Sequence, residues 1–153
     1  MISLLKFNSF VYMNTTQIRE LLQKRKLKAT TTRINLLSKM SNYGSAMSHS
    51  SIQQKMSPVD RVTLYRTIEA LKEKGVIHKA YQDNNEIYYA ICDIDCSKQH
   101  RCHEHIHFKC TVCETIHCEE VENTIEISLP NYKINKVSIN VEGLCETCNK
   151  QQY

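Results

Sequence analysis

Residues 61–91 read RVTLYRTIEALKEKGVIHKAYQDNNEIYYAI, and two periodicities meet in them. Over residues 61–74, Leu64, Ile68 and Leu71 recur at i, i+4 and i+7, the apolar stripe of an amphipathic helix that Gly75 can terminate. From Val76 the period falls to two. Residues 76–81 and 86–91 are expected to be strands, and Asp83-Asn84-Asn85 between them is turn chemistry. A helix running into a hairpin, with shorter helices before it, is the layout of a winged helix-turn-helix. Tyr65 and Arg66 project away from the buried stripe, within reach of a DNA duplex.

Upstream residues supply the shorter helices. Residues 14–28 read as a helix capped by Asn14, Thr15 and Thr16, with Ile18, Leu21 and Leu22 on one face. Thr30-Thr31-Thr32 caps a second helix that runs to about Ser41 and buries Ile34, Leu36 and Leu37. Asn42-Tyr43-Gly44-Ser45 is a turn. Ser48 caps a short third helix to about Met56, and Pro58 forbids its continuation. Residues 1–12 are apolar but interrupted by Lys6 and Asn8, carry no cleavage site, and are too short to span a bilayer. They are expected to be a loose arm or a mis-annotated start, because Met13 leads directly into the cap residues.

Downstream the character of the chain changes. Residues 92–104 form a Cys/His-rich hinge loop. Residues 105–109 and 115–118 read as strands, 119–128 as a helix stopped before Pro130, and 132–141 as a further strand. The expected class is α+β: a winged-helix unit over 13–91, the hinge, and an α/β unit over 105–153.

Charge divides at nearly the same point. Of 153 residues, 24% are charged and 41% hydrophobic, which excludes a disordered chain and suits one or two small domains. Residues 1–80 carry 14 Lys and Arg against 4 acids, whereas residues 81–153 carry 6 against 12. A basic half beside an acidic half points to a polyanionic partner for the first alone. All 8 cysteines fall at or after residue 92, and His49 is the one histidine before residue 78. With no export signal the thiols are expected to be reduced, and metal binding becomes their leading use.

Cys110-Thr-Val-Cys113 and Cys145-Glu-Thr-Cys148 are two CxxC knuckles. Each two-residue gap lets both thiolates face one ion, and two knuckles complete a tetrahedral S4 shell of the closed, structural zinc type. A redox-active CxxC is the competing use, and the presence of two knuckles argues against it. Ten further candidate ligands remain: His78, Cys92, Cys96, His100, Cys102, His103, His105, His107, His117 and Cys118. His105 and His107 share one face of a strand, as chelation needs. Imidazoles with one or two thiolates suit zinc better than iron or manganese. A second, exchangeable metal here would draw ligands from hairpin, loop and second unit, and so set their relative positions.

These residues resemble the ferric uptake regulator family of metal-dependent repressors over roughly residues 14–150. The run Leu27-Lys-Ala-Thr-Thr-Thr-Arg33 is similar to the family's basic segment before helix two. The run Arg61-Val-Thr-Leu-Tyr-Arg-Thr-Ile68 is similar to its recognition helix, and His105-Ile-His107 before the two CxxC pairs to its metal hallmark. The resemblance implies a homodimer with a C-terminal α/β dimerisation domain, and a structural zinc at Cys110, Cys113, Cys145 and Cys148. It implies DNA contacts from Tyr65 and Arg66, with Arg61, Thr63 and Lys28 beside them. Where the iron branch commonly has a histidine before helix three, this chain has Ala46. Ile106 and Val137 stand where an accessory site has an acid or histidine. His78 and Cys92 resemble the sensing ligands of zinc uptake regulators. His105 and His107 join them, with His103, Cys102, His117 and Cys118 as further candidates.

The expected function is a cytoplasmic, zinc-responsive dimeric repressor of metal-uptake genes. It would hold one structural and one regulatory zinc per subunit and bind a palindromic, AT-rich operator. Iron, manganese or peroxide sensing is the nearest alternative. A zinc enzyme is disfavoured: His103-Glu104 before Cys110-x-x-Cys113 only faintly echoes zinc deaminases, the gap is short, and the second CxxC claims the same thiolates. A zinc store would not need Tyr65 and Arg66 on a basic helix.

Overall fold

The computed structural model describes residues 12–83, 85–92, 105–121, 125–135, 137 and 139–151, and only the backbone of His105 and Glu120. The expectations for residues 1–11, and for Cys96, His100, Cys102 and His103 in the hinge, lie outside these residues. α1 (Thr15–Lys24) opens on a reciprocal cap: Asn14 Oδ1 accepts from Gln17 N, and Gln17 Oε1 from Asn14 N, both at 2.9 Å. It ends four residues earlier than its pattern suggested. Lys26 takes φ +57°, and Leu27 N–H turns back to the Leu22 carbonyl at 2.8 Å. α2 (Thr31–Tyr43) starts on Thr30 and runs two residues past Ser41, stopping where Gly44 takes the left-handed φ of +74°. α3 (His49–Lys55) and α4 (Arg61–Glu73) follow, capped by Ser48 and Asp60.

The N-terminal core is where these helices meet. Ile18, Leu22, Leu37, Ile52, Leu71, Val76 and Ile77 are completely enclosed, and Leu36, Leu64 and Ile68 nearly so. Each such side chain contributes about 1.5–3 kcal/mol by leaving water. Ile34, expected inside, is only partly covered.

The wing is a three-stranded sheet ordered β1-β3-β2, from β1 (Met47–Ser48), β2 (Ile77–Gln82) and β3 (Ile87–Ile91). Sequence analysis did not anticipate β1. Two residues carry no periodicity, and the strand exists only because Met47 and Ser48 pair with Tyr89 and Tyr88. The register between β2 and β3 shifts between Lys79 and Tyr81.

The second sheet is ordered β5-β4-β6, from β4 (His105–Cys110), β5 (Ile116–Glu120) and β6 (Asn140–Gly143), followed by α5 (Glu146–Lys150). Two expectations fail here. Glu119 and Glu120 extend β5 by pairing with Ile106 and His105, and residues 125–129 are not helical. Ile125, Ile127 and Leu129 alternate at a period of two, which a helix cannot use. The strand expected from Tyr132 begins only at Asn140, where pairing with His107 starts.

The two units touch through small residues. Ala46, Ala80 and Ala90 pack on Ile116, and Ala46 N–H donates to the Ile116 carbonyl at 2.8 Å. The Tyr81 hydroxyl donates to Glu142 at 3.0 Å, and Lys109 lies 4.8 Å from the centre of the Tyr81 ring. Among the described residues, no helix is long and apolar enough to cross a membrane.

Candidate metal centres and DNA-binding face

Four sulfur atoms, of Cys110, Cys113, Cys145 and Cys148, lie within 4.8 Å of one another. Cys110 closes β4, Cys113 sits in the following turn, Cys145 caps α5, and Cys148 is its third residue. The first knuckle is shaped by Glu114, at φ +59°, and by Cys110 N–H donating to the Thr115 carbonyl at 2.9 Å. The Thr111 N–H reaches the Gly143 carbonyl at 2.8 Å, tying this knuckle to the strand that leads into the second.

The four thiols are not electrostatically alike. Cys110 is lowered to about 6, first by the backbone N–H of Cys145, 3.4 Å from its sulfur. Cys113 is lowered by the Thr115 side chain. Cys148 is pushed up to about 12, first by the Cys145 side chain and then by burial. The first thiol loses its proton readily, and the last keeps it because its hydrogen bond with Cys145 and its burial favour the protonated form. A divalent ion bound by all four sulfurs would favour the thiolate form of each. In tetrahedral zinc at about 2.3 Å per sulfur, neighbouring sulfurs stand about 3.8 Å apart, the separation found between Cys113 and Cys145, 3.8 Å.

A second cluster spans the two units. His78 in β2, His107 in β4 and Cys118 in β5 bring their donor atoms within 4.8 Å of one another. The His78 Nε2 is 3.3 Å from both His107 Nε2 and Cys118 Sγ. Tetrahedral zinc with nitrogen at about 2.0–2.1 Å and sulfur at about 2.3 Å needs donor separations of roughly 3.3–3.6 Å. The three side chains therefore fit such an ion, with room in its shell for a fourth donor. Cys92 Sγ lies 3.2 Å from the other ring nitrogen of His78, Nδ1. His117 points to the opposite face of β5 from Cys118, as alternation requires, and is not part of this cluster. The His105 backbone opens β4 opposite Glu120. Cys118 was one of several thiols in a crowded stretch. Only the antiparallel register His107↔Cys118 distinguishes it.

On the N-terminal unit, Arg61, Thr63, Tyr65 and Arg66 are all exposed on α4, and Lys28 is exposed in the loop before α2. Tyr65 is 60% exposed despite its size. The Arg33 Nη1 donates to the Lys28 carbonyl at 2.8 Å, fixing the loop that presents that lysine. None of the six described cysteines is in a disulfide.

Comparison with known proteins agrees with this layout. Residues 24–143 match the Ferric uptake regulator family model. The Ferric uptake regulation protein of Staphylococcus aureus is 27% identical over 140 residues, covering 89% of this chain and 98% of that protein. The fold resembles a solved zinc uptake regulator in complex with zinc and DNA, at TM-score 0.69 and 21% identity, over 90% of this chain and 94% of that one. It also resembles holo XcZur, at TM-score 0.63 and 17% identity, over 89% and 96% of the two chains. The family model spans well over half of the sequence, and the chain belongs to the ferric uptake regulator family of metal-responsive DNA-binding regulators.

Proposed function

We propose that this protein is a zinc-responsive, dimeric transcriptional repressor that controls metal-uptake genes in the cytoplasm. The observation that carries the zinc assignment is the donor set of the second cluster: two imidazoles and a thiolate, from His78, His107 and Cys118, within 4.8 Å of one another. Thiolate with imidazole favours zinc, whereas iron(II) and manganese(II) sites lean on carboxylates. Ala46 is buried where a histidine ligand of the iron branch would stand. Cys92, and His105, His103 or Cys102 from the hinge side, are proposed to complete the shell or to orient it, with His117 the weakest candidate. The S4 cluster would hold a second, structural zinc.

The placement of the second cluster supplies the switch. His78 belongs to the wing and His107 and Cys118 to the C-terminal sheet, so an ion shared among them holds the DNA-binding unit in one orientation. Two such units in a dimer would present Tyr65, Arg66, Arg61, Thr63 and Lys28 to the half-sites of a palindromic, AT-rich operator. The metal supplies only the cross-link. Recognition is made by side chains of α4 and by phosphate contacts from the basic half. The 27% identity to a ferric uptake regulation protein favours an iron-sensing reading instead.

One experiment separates these readings. Fluorescence anisotropy would be followed on duplex DNA selected from a random pool, with zinc, iron(II) and manganese(II) buffered in turn and the S4 zinc loaded. Tight binding with zinc alone, lost in His78→Ala and Cys118→Ser while one zinc per chain remains, is the expected result. Binding restored by iron(II) or manganese(II) but not zinc overturns the zinc assignment.

A further inference from the structure

The outward face of α4 carries one apolar residue that neither the core nor the metal clusters use. At about 100° per residue, Arg66 lies roughly 200° and Val62 roughly 160° round the helix from Leu64. The two therefore straddle the line opposite the buried stripe, with Tyr65 at about 100° beside them. Val62 is 59% exposed, and Arg61, Thr63, Tyr65 and Arg66 around it are exposed as well. A single exposed valine is ordinary. This one sits in the first turn of the helix, where helix-turn-helix docking brings side chains to base edges. As an exposed helical residue it is also a poorer choice than alanine, because its β-branch loses rotamer freedom. Its neighbours offer donors for phosphates and purine edges. Two valine methyls have one apolar counterpart on base edges in the major groove, the C5-methyl of thymine.

We propose that Val62 is a specificity-determining residue whose methyl groups seat against a thymine C5-methyl in each half-site. The inference rests on the DNA-binding reading above and names part of what that reading recognises. Asp60, not Val62, accepts the first-turn N–H of Thr63 at 2.9 Å, so replacing Val62 leaves the cap intact. Alanine is the better helix former, and Val62→Ala keeps the fold.

The test uses the full-length, zinc-loaded chain and a duplex selected by the wild type, with each thymine replaced singly by deoxyuridine. Removing that thymine methyl in one half-site should weaken wild-type binding about threefold to fivefold. Val62→Ala, which removes the contact in both half-sites, should bind the thymine duplex about tenfold to twentyfold more weakly, and be indifferent to uracil at that position alone. Thymine sensitivity that persists elsewhere in the variant belongs to Tyr65. Identical uracil profiles for wild type and Val62→Ala overturn the proposal while leaving DNA binding in place. A wild type that selects no duplex at any buffered metal overturns the DNA-binding reading and this inference with it.

Discussion

The thiols of the S4 cluster differ although they share a motif. Cys113 is exposed and lowered by Thr115, whereas Cys148 is buried and pushed up to about 12. A lowered thiol carries more thiolate at neutral pH, and thiolate is the form that alkylates. In zinc-stripped protein, Cys113 should therefore react with iodoacetamide before Cys148. Its rate should fall with acidification through a midpoint below the ordinary value of 9.0. Reloading zinc should protect both. Peptide mapping by mass spectrometry against pH checks this, and faster labelling of Cys148 would show that the proton is placed otherwise. At the same scale, the Arg66 guanidinium points away from the core, so Arg66→Ala should abolish selective DNA binding and leave the zinc count unchanged. Anisotropy and metal analysis of the same sample read both quantities.

At the scale of elements, α4 serves two faces. Leu64, Ile68 and Leu71 anchor it in the N-terminal core, and the opposite face is left for solvent and ligand. Leu71 is completely enclosed, so Leu71→Ala should destabilise the protein by about 2–5 kcal/mol through lost burial and the cavity left behind. Urea unfolding of the metal-loaded chain measures it. A cost under about 1 kcal/mol, the range of a surface change, would mean that the core had collapsed around the gap. The wing shows how an element too short to read locally still matters. β1 is only Met47–Ser48, yet its pairing with β3 holds the start of α3 against the hairpin.

At the scale of the whole molecule, the contact between the two units runs beside the His78 cluster. Tyr81 of β2 donates to Glu142 of β6 at 3.0 Å and lies under Lys109 of β4. These contacts need no metal, so they bias the chain towards the orientation in which His78, His107 and Cys118 already meet. Removing the hydroxyl in Tyr81→Phe forfeits one partly exposed hydrogen bond, worth about 0.5–1.5 kcal/mol. The free zinc needed for half-maximal DNA binding should rise about twofold to tenfold, with affinity at saturating zinc unchanged. Zinc titrations of the anisotropy signal check this, and a variant that loses affinity at saturation would place Tyr81 in the DNA interface instead.

What the linear order settled was local. The period change at Gly75, the cap residues Asn14, Thr30 and Ser48, and the two CxxC spacings each act within a few residues of one another. The four N-terminal helices, the hairpin and the grouping of the four CxxC thiols were therefore legible without a fold, whereas α5 was not anticipated. Tertiary structure decided what depends on register and approach. It chose β1, because a two-residue strand exists only through its partner. It drew Glu119 and Glu120, expected at the start of a helix, into a longer β5, because they found a ladder in β4. Among the described residues it also brought His78, His107 and Cys118 together, since side chains separated by 29 and 40 residues converge only once strands from both units pack. Ala46, Ala80 and Ala90 are small enough to let the wing approach the sheet around Ile116. No periodicity of the chain encodes that approach, which is a property of two surfaces rather than of either segment.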